Sequence, residues 1–193
     1  MRLVLILIVV LAGIAAGVGL TTFAIGGGAP YLVRQMHGWE FSPRIGSPDI
    51  DPYARARLFA EGELPLAAGE GYTLRTHADV DSAPLDAACR YRLSSPFPPA
   101  RYWTVTLTDR SGRVVANLAE RIAFTSAEIV RQHDGRFSIE IGPEPLPGNW
   151  LPTGRKSGGF EIVLRFYETP LAATATILDA RTMPTLRKIG CPA

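Results

Sequence analysis

Residues 3–25 carry no charged side chain, and no other feature of the chain restricts its folding so strongly. As a helix rising 1.5 Å per residue, this run reaches roughly 34 Å, enough to cross the ~30 Å hydrocarbon core of a bilayer. A helix buried inside a small domain is seldom apolar on every face, so a core helix is the weaker reading. A cleaved secretory signal is the nearer rival, because Gly27 and Ala29 satisfy the small-residue rule for cleavage. The apolar region of such a signal is usually about 7–15 residues, shorter than this one. The sequence therefore predicts an uncleaved anchor over residues 1–28. Gly13 and Gly17 form a spaced pair of the kind that lets two membrane helices approach closely, although such pairs recur by chance in Gly/Ala-rich spans.

Arg2 precedes the run, whereas Arg34 and Arg44 follow at a distance, so the charge bias across it is nearly balanced. The short N-terminal tail offers almost nothing to translocate, which places it inside. The expectation is a single pass through a bacterial inner membrane with the C-terminal domain in the periplasm. Cys89 and Cys191, the only two cysteines, suit a disulfide in such an oxidising compartment. The alternative is one buried and one exposed thiol that never meet. Their spacing excludes a local metal-binding or redox pair. A formal net charge of +2 gives no electrostatic footprint for nucleic acid.

Gly26, Gly27, Gly28 and Pro30 break the helix where it would leave the membrane. Tyr31, Met36, His37 and Trp39 then read either as an interfacial collar or as a strap on the domain surface. Asp51-Pro52 is a helix start, with aspartate as N-cap and proline at the first position. A short helix is predicted over residues 53–61, closed by Gly62. Residues 29–64 thus form a linker with one short helix, and residues 65–193 form the main domain.

Beyond Pro65 the apolar residues recur with period two. Leu85, Ala87, Cys89, Tyr91 and Leu93 alternate with Asp86, Arg90 and Arg92, predicting a strand over residues 85–93 with Cys89 on its buried face. Trp103, Val105 and Leu107 mark a second strand. Asp109 to Gly112 make a turn into a return strand at residues 114–116. Asp134-Gly135 is a hairpin-type turn leading into Phe137, Ile139 and Ile141. Residues 160–167 form the last strong strand. Short strands divided by Gly/Pro turns predict a mainly β fold, an antiparallel sandwich or jelly roll carrying the N-terminal helix and the short extra one.

Several stretches occur in a consistent order. They include Gly46-Ser47-Pro48 with Asp51-Pro52-Tyr53-Ala54-Arg55-Ala56, Pro84-Leu85 and Cys89-Arg90-Tyr91. Further on come Pro99-Ala100-Arg101-Tyr102-Trp103, Asp134-Gly135-Arg136-Phe137, Asn149-Trp150-Leu151-Pro152 and Leu164-Arg165-Phe166-Tyr167. In these stretches the chain resembles the bacterial family called domain of unknown function 1214, and the resemblance spans residues 39–193. It implies a sandwich-like fold and a short, membrane-anchored form, without an established activity. The partner domain of longer members, domain of unknown function 1254, has no room here. Where the family pattern has a serine after an arginine, this chain has Ile122-Ala123 after Arg121, so the resemblance supports no role for a hydroxyl at that point.

His37, His77 and His133 fall in different elements without metal-ligand spacing, and no metal site or cofactor is expected. Asp79 and Asp81 lack the glycine and distal glutamate of a calcium loop and read as turn residues. No Gly-x-Ser-x-Gly elbow or phosphate loop occurs. Glu61, Glu63, Glu70 and Asp79 are carboxylates without a nominated partner. The candidate ligand-binding group is Asn149, Trp150, Glu161, Arg165 and Tyr167. Glu161, Val163, Arg165 and Tyr167 project from one face of the last strand. If that face lines a concavity, Arg165 can grip a carboxylate or phosphate bidentately. The competing arrangement is an Arg165–Glu161 pair on a solvated face, with Trp150 plugging one end of the sandwich. A smaller possibility places Tyr53, Arg55 and Arg57 at the mouth of the sheet, although Arg55 and Arg57 cannot share a helix face.

The functional expectation is a membrane-anchored envelope module that binds a small ligand or an envelope protein. The alternatives are a hydrolase acting on an envelope metabolite and a structural subunit of an inner-membrane complex.

Overall fold

The uncharged run is one helix, α1 (Arg2–Gly26), long and apolar enough to span a membrane. A computed structural model of the protein describes residues 1–26, 33–154, 157–169 and 180–191. Gly27 and Ala29, the residues read as a cleavage site, lie outside the described residues, as do Gly28, Pro30 and Tyr31.

The first strands are β1 (Arg34–Met36) and β2 (Trp39–Phe41). Between them His37 and Gly38 both have positive φ, 52° and 80°, the conformation that matches a two-residue turn to the twist of its strands. Trp39 is 1% exposed and its indole N–H donates to the Pro184 carbonyl at 2.7 Å. It is therefore part of the core and not of an interfacial collar.

Helix α2 (Pro52–Glu61) follows with the predicted caps. The Asp51 carboxylate accepts from the N–H groups of Tyr53 and Ala54, at 2.8 and 3.2 Å, satisfying donors that a helix start leaves unpaired. Gly62 closes the helix in the left-handed conformation.

The remaining strands are β3 (Gly71–Thr76), β4 (Arg90–Ser94), β5 (Tyr102–Asp109), β6 (Ala123–Thr125), β7 (Ser138–Gly142), β8 (Trp150–Pro152), β9 (Phe160–Tyr167) and β10 (Thr185–Gly190). They form a six-stranded sheet, ordered β1-β2-β3-β9-β5-β6, and a four-stranded sheet, ordered β10-β4-β7-β8. Pairing is antiparallel except between β7 and β8. Leu74, Val105, Leu107, Ile162, Leu164 and Phe166 from the first sheet meet Tyr91, Leu93, Ile139, Ile141, Leu151 and Leu186 from the second in one core. Trp103 stacks on Phe137 with ring centroids 5.2 Å apart, joining the sheets through large apolar surfaces.

Two predicted strands are shorter than their patterns. Leu85, Ala87 and Cys89 are buried in alternation as expected, yet ladder pairing begins only at Arg90. Before it, the Cys89 N–H turns back to the Asp86 carbonyl and the Ala87 N–H goes to Gly158, so side-chain alternation persists without a strand. The return strand at residues 114–116 reduces to one bridge between Thr108 and Val114, and β6 takes the edge beside β5. The turn before it is as expected. Ser111 donates its hydroxyl to Asp109, the main reason the Asp109 carboxyl is held down at about 2.

Cys89 and Cys191 are joined. The register explains why: β10 runs antiparallel to β4 and sets Gly190 opposite Arg90, which brings the next residue of one strand beside the preceding residue of the other. The bond closes a sequence separation of 102 residues, so its constraint on the unfolded chain is large. Replacing both cysteines by serine is expected to lower unfolding stability by about 2–5 kcal/mol, read as a reduced urea midpoint. An unchanged midpoint would mean that the β4–β10 ladder alone secures the C-terminal strand.

Candidate functional site

Strand β9 lies inside the larger sheet, paired with β5 along its length and with β3 from Ile162 to Tyr167. Its even positions, Phe160 to Phe166, enter the core, and its odd positions form the outer face, as strand geometry requires. The register then builds rows across that face. Thr73, Arg165, Thr104 and Thr125 form one row, Glu40, Arg75, Val163 and Thr106 another, with Glu161 beside Thr108 and Tyr167 beside Tyr102 at the two ends.

Residues 42–70, α2 among them, lie over part of this face and leave a groove of about 780 Å³. Gly46 lets the segment fold on itself. Its φ is +81°, and a Cβ there would fall 1.8 Å from the Leu66 carbonyl oxygen, so no other residue fits. Tyr53, Ala54, Arg57 and Leu58 face the groove, whereas Arg55 and Phe59 point to the other side of the helix. Arg55 and Arg57 occupy different faces, as their spacing demands. Val163 is 0% exposed although it lies on the outer face, which marks how closely the groove floor is covered.

The groove holds four arginines and three glutamates, and their pairing is uneven. Arg75 takes two of the glutamates. It donates to Glu161 at 3.1 Å and forms an ion pair with Glu63 from the overlying segment. Glu161 also accepts from the Thr108 hydroxyl at 3.2 Å. Glu40 accepts from Gln35 at 3.0 Å and stands 3.8 Å from His77. The Arg165–Glu161 pair weighed from the sequence does not form, because Arg75 of β3 occupies that carboxylate. Among the described residues Arg165 has no hydrogen-bond or ion-pair partner, though it is half-buried. Arg110, also without one, is exposed and rests over Gly159. A guanidinium stays charged and carries five donors in a planar fork, and those of Arg165 have no partner among the described residues although the side chain lines the groove. Burial pushes the phenol of Tyr72, on the opposite face of β3, well above its ordinary value, with Thr169 pulling slightly the other way. It stays protonated.

The other residues singled out from the sequence divide. Tyr167 packs against Tyr102, ring centroids 5.9 Å apart, at the end of the face beyond the groove. Asn149 and Trp150 belong to the smaller sheet. The Asn149 side chain accepts from the Val130 N–H and donates to the Val130 and Ser138 carbonyls, at 2.8, 2.8 and 2.9 Å. The Trp150 indole donates to the Gly142 carbonyl at 3.0 Å. Both lie at the smaller sheet, whereas Arg165 belongs to the larger one. Sequence reasoning missed Arg75, Glu40 and the pairing role of Glu63. The alternation Tyr72-Thr73-Leu74-Arg75 was the available signal for Arg75. Among the described residues no cluster of metal-ligating side chains occurs.

A two-sheet β sandwich with a polar groove on one outer face is the class these features define. Residues 70–171 match the model of a family described as protein of unknown function DUF1214, and the chain belongs to that family. The match takes in Arg75, Glu161 and Arg165 of the groove floor and begins beyond α2. No curated protein matches. Among solved structures, the VPA0106 protein from Vibrio parahaemolyticus is similar at a TM-score of 0.58 and 17% identity over 71% of this chain. The aligned region is 35% of that protein, so this chain spans about a third of its length. An uncharacterised protein from Burkholderia cenocepacia aligns over 76% of this chain and 45% of its own, at 15% identity and a TM-score of 0.37. The first likeness supports the fold.

Replacing Asn149 by alanine is expected to cost about 1–3 kcal/mol, because three part-buried hydrogen bonds to the backbone of Val130 and Ser138 are lost. A thermal unfolding scan should register the loss. Unchanged stability would mean that water replaces the amide.

Proposed function

We propose that this protein is a membrane-anchored binding module of the bacterial envelope, its domain in the periplasm, whose groove receives a small molecule bearing a carboxylate or phosphate. The observation that carries this reading is Arg165. It is a half-buried cation at the middle of a sheet, left unpaired among the described residues while its neighbour Arg75 takes two glutamates. Desolvating a charge without a partner is unfavourable, and an anionic ligand would supply the partner. A bidentate contact from a planar fork adds direction as well as attraction. The groove volume falls in the range of small-molecule sites.

The apolar helix α1 and the Cys89–Cys191 disulfide both accord with an extracytoplasmic domain. A hydrolase reading has less behind it, since Glu161 is held by Arg75 and Thr108 and the His77–Glu40 separation of 3.8 Å exceeds a hydrogen bond.

The test is a thermal-shift screen of the full chain with short carboxylates and phosphate monoesters, followed by titration of any stabilising compound. Arg165→Ala is expected to keep its fold and weaken binding by about 10- to 100-fold, the equivalent of a lost charge-assisted hydrogen bond. Arg165→Lys should fall between, having charge without the fork. Failure of every anion to stabilise the protein, or equal binding by Arg165→Ala, would refute the reading.

A further inference from the structure

The groove that holds Arg165 is not walled by the β domain alone. Ala24, in the last turn of α1, lines it together with Val33, Tyr53, Leu58, Leu64 and Leu66. Every other residue of α1 is exposed apart from the neighbouring Ile25, and α1 packs against α2. One end of a helix apolar enough to span a membrane therefore borders the same cavity as the Arg165 guanidinium.

The sheet register sets how far apart the two lie. Continued one position beyond the Arg34–Phe41 pair, the β1–β2 ladder puts Val33 opposite Ser42. Continued two positions beyond the Glu40–Arg75 pair, the β2–β3 ladder puts Ser42 opposite Thr73, which pairs with Arg165. Val33, Ser42, Thr73 and Arg165 all line the groove, as residues of one row on one face should. Three strand spacings of about 4.8 Å make roughly 14 Å. Arg165 sits that far in from the strand that follows α1.

Beside Glu161 the groove is polar, lined by Thr108, Arg110 and Ser111. Its roof is apolar and bare, with Leu64 93% exposed and Tyr53 41%. A free carboxylate or phosphate would satisfy Arg165 and leave those surfaces in water. A molecule with an anionic head and one alkyl chain satisfies both, since packing the chain on the roof removes apolar surface from water on each side.

We infer that the groove takes single-chain anionic amphiphiles from the bilayer. The head meets Arg165, and the alkyl chain runs along the roof toward Val33 and Ala24. The inference deepens the binding reading and rests on it, as it rests on α1 being the anchor.

The experiment uses the full chain in phosphatidylcholine nanodiscs containing hexadecanoic acid with a diazirine at its tenth carbon. Irradiation and peptide mass mapping should place adducts on residues 53–66, and none above background on the loop around Leu118, which is also exposed. Arg165→Ala should lower the labelling of 53–66 about tenfold, the loss of one charge-assisted hydrogen bond. The matching alcohol should label no better than that variant. Full burial of a methylene is worth about fourfold in affinity and half-burial about twofold. Decanoate, six methylenes longer than butyrate, should therefore protect the segment at a roughly 60-fold lower concentration. Labelling that persists in Arg165→Ala, or that the alcohol gives equally, would overturn the inference. Equal protection by butyrate and decanoate would overturn the amphiphile and leave the small-anion site standing. Absence of labelling on 53–66 would also overturn it, and the small-anion site would then stand or fall by the thermal-shift screen alone.

Discussion

Everything in this fold hangs on β9 having hydrogen-bonded neighbours on both sides. A strand paired with β5 along its whole length and with β3 from Ile162 to Tyr167 cannot slip by one residue without exchanging its faces. Phe160, Ile162, Leu164 and Phe166 would then leave the core, and Glu161 and Arg165 would enter it. Apolar burial holds the register, and the register sets Arg165 on the outer face. One constraint therefore makes both the core and the groove floor. The side chains that do no packing are free to carry charge.

The groove roof is built differently. It has no buried residues of its own among those described and is fastened to the floor through the Glu63–Arg75 pair and the Glu168 N–H donating to the Glu70 carbonyl at 2.7 Å. Half-exposed ion pairs contribute little to stability, so the roof is less firmly held than the sheet beneath it. A floor fixed by the core and a roof fixed by a few polar contacts suit a site that must admit a ligand.

Much of this was legible in the sequence. The absence of charge over residues 3–25 implied α1, and Asp51, Pro52 and Gly62 bounded α2. The alternation over residues 160–167 gave β9 and its two faces. Local patterns write these features, and short-range physics reads them. Pairing across the sheet is not local. Arg75 reaches Glu161 across 86 positions, and nothing near Glu161 announces the competitor that displaces Arg165. Asn149 and Trp150 stood out as distinctive residues, yet their role is to tie β8 and a loop to the smaller sheet. Chemical character alone did not reveal which sheet they serve. The 85–93 pattern shows the converse, since burial alternates there while Asp86 and Gly158 take the hydrogen bonds of a strand.

The central claim is that Arg165 is an open anion site in a groove whose other cation on the floor, Arg75, is already satisfied. Side-chain Nε–H resonances of isotopically labelled arginine report this directly, with assignment by substitution and titration with a stabilising carboxylate. The account predicts that the Arg165 resonance shifts in a saturable manner while that of Arg75 stays in place. A saturable shift at Arg75, with Arg165 unmoved, would contradict it.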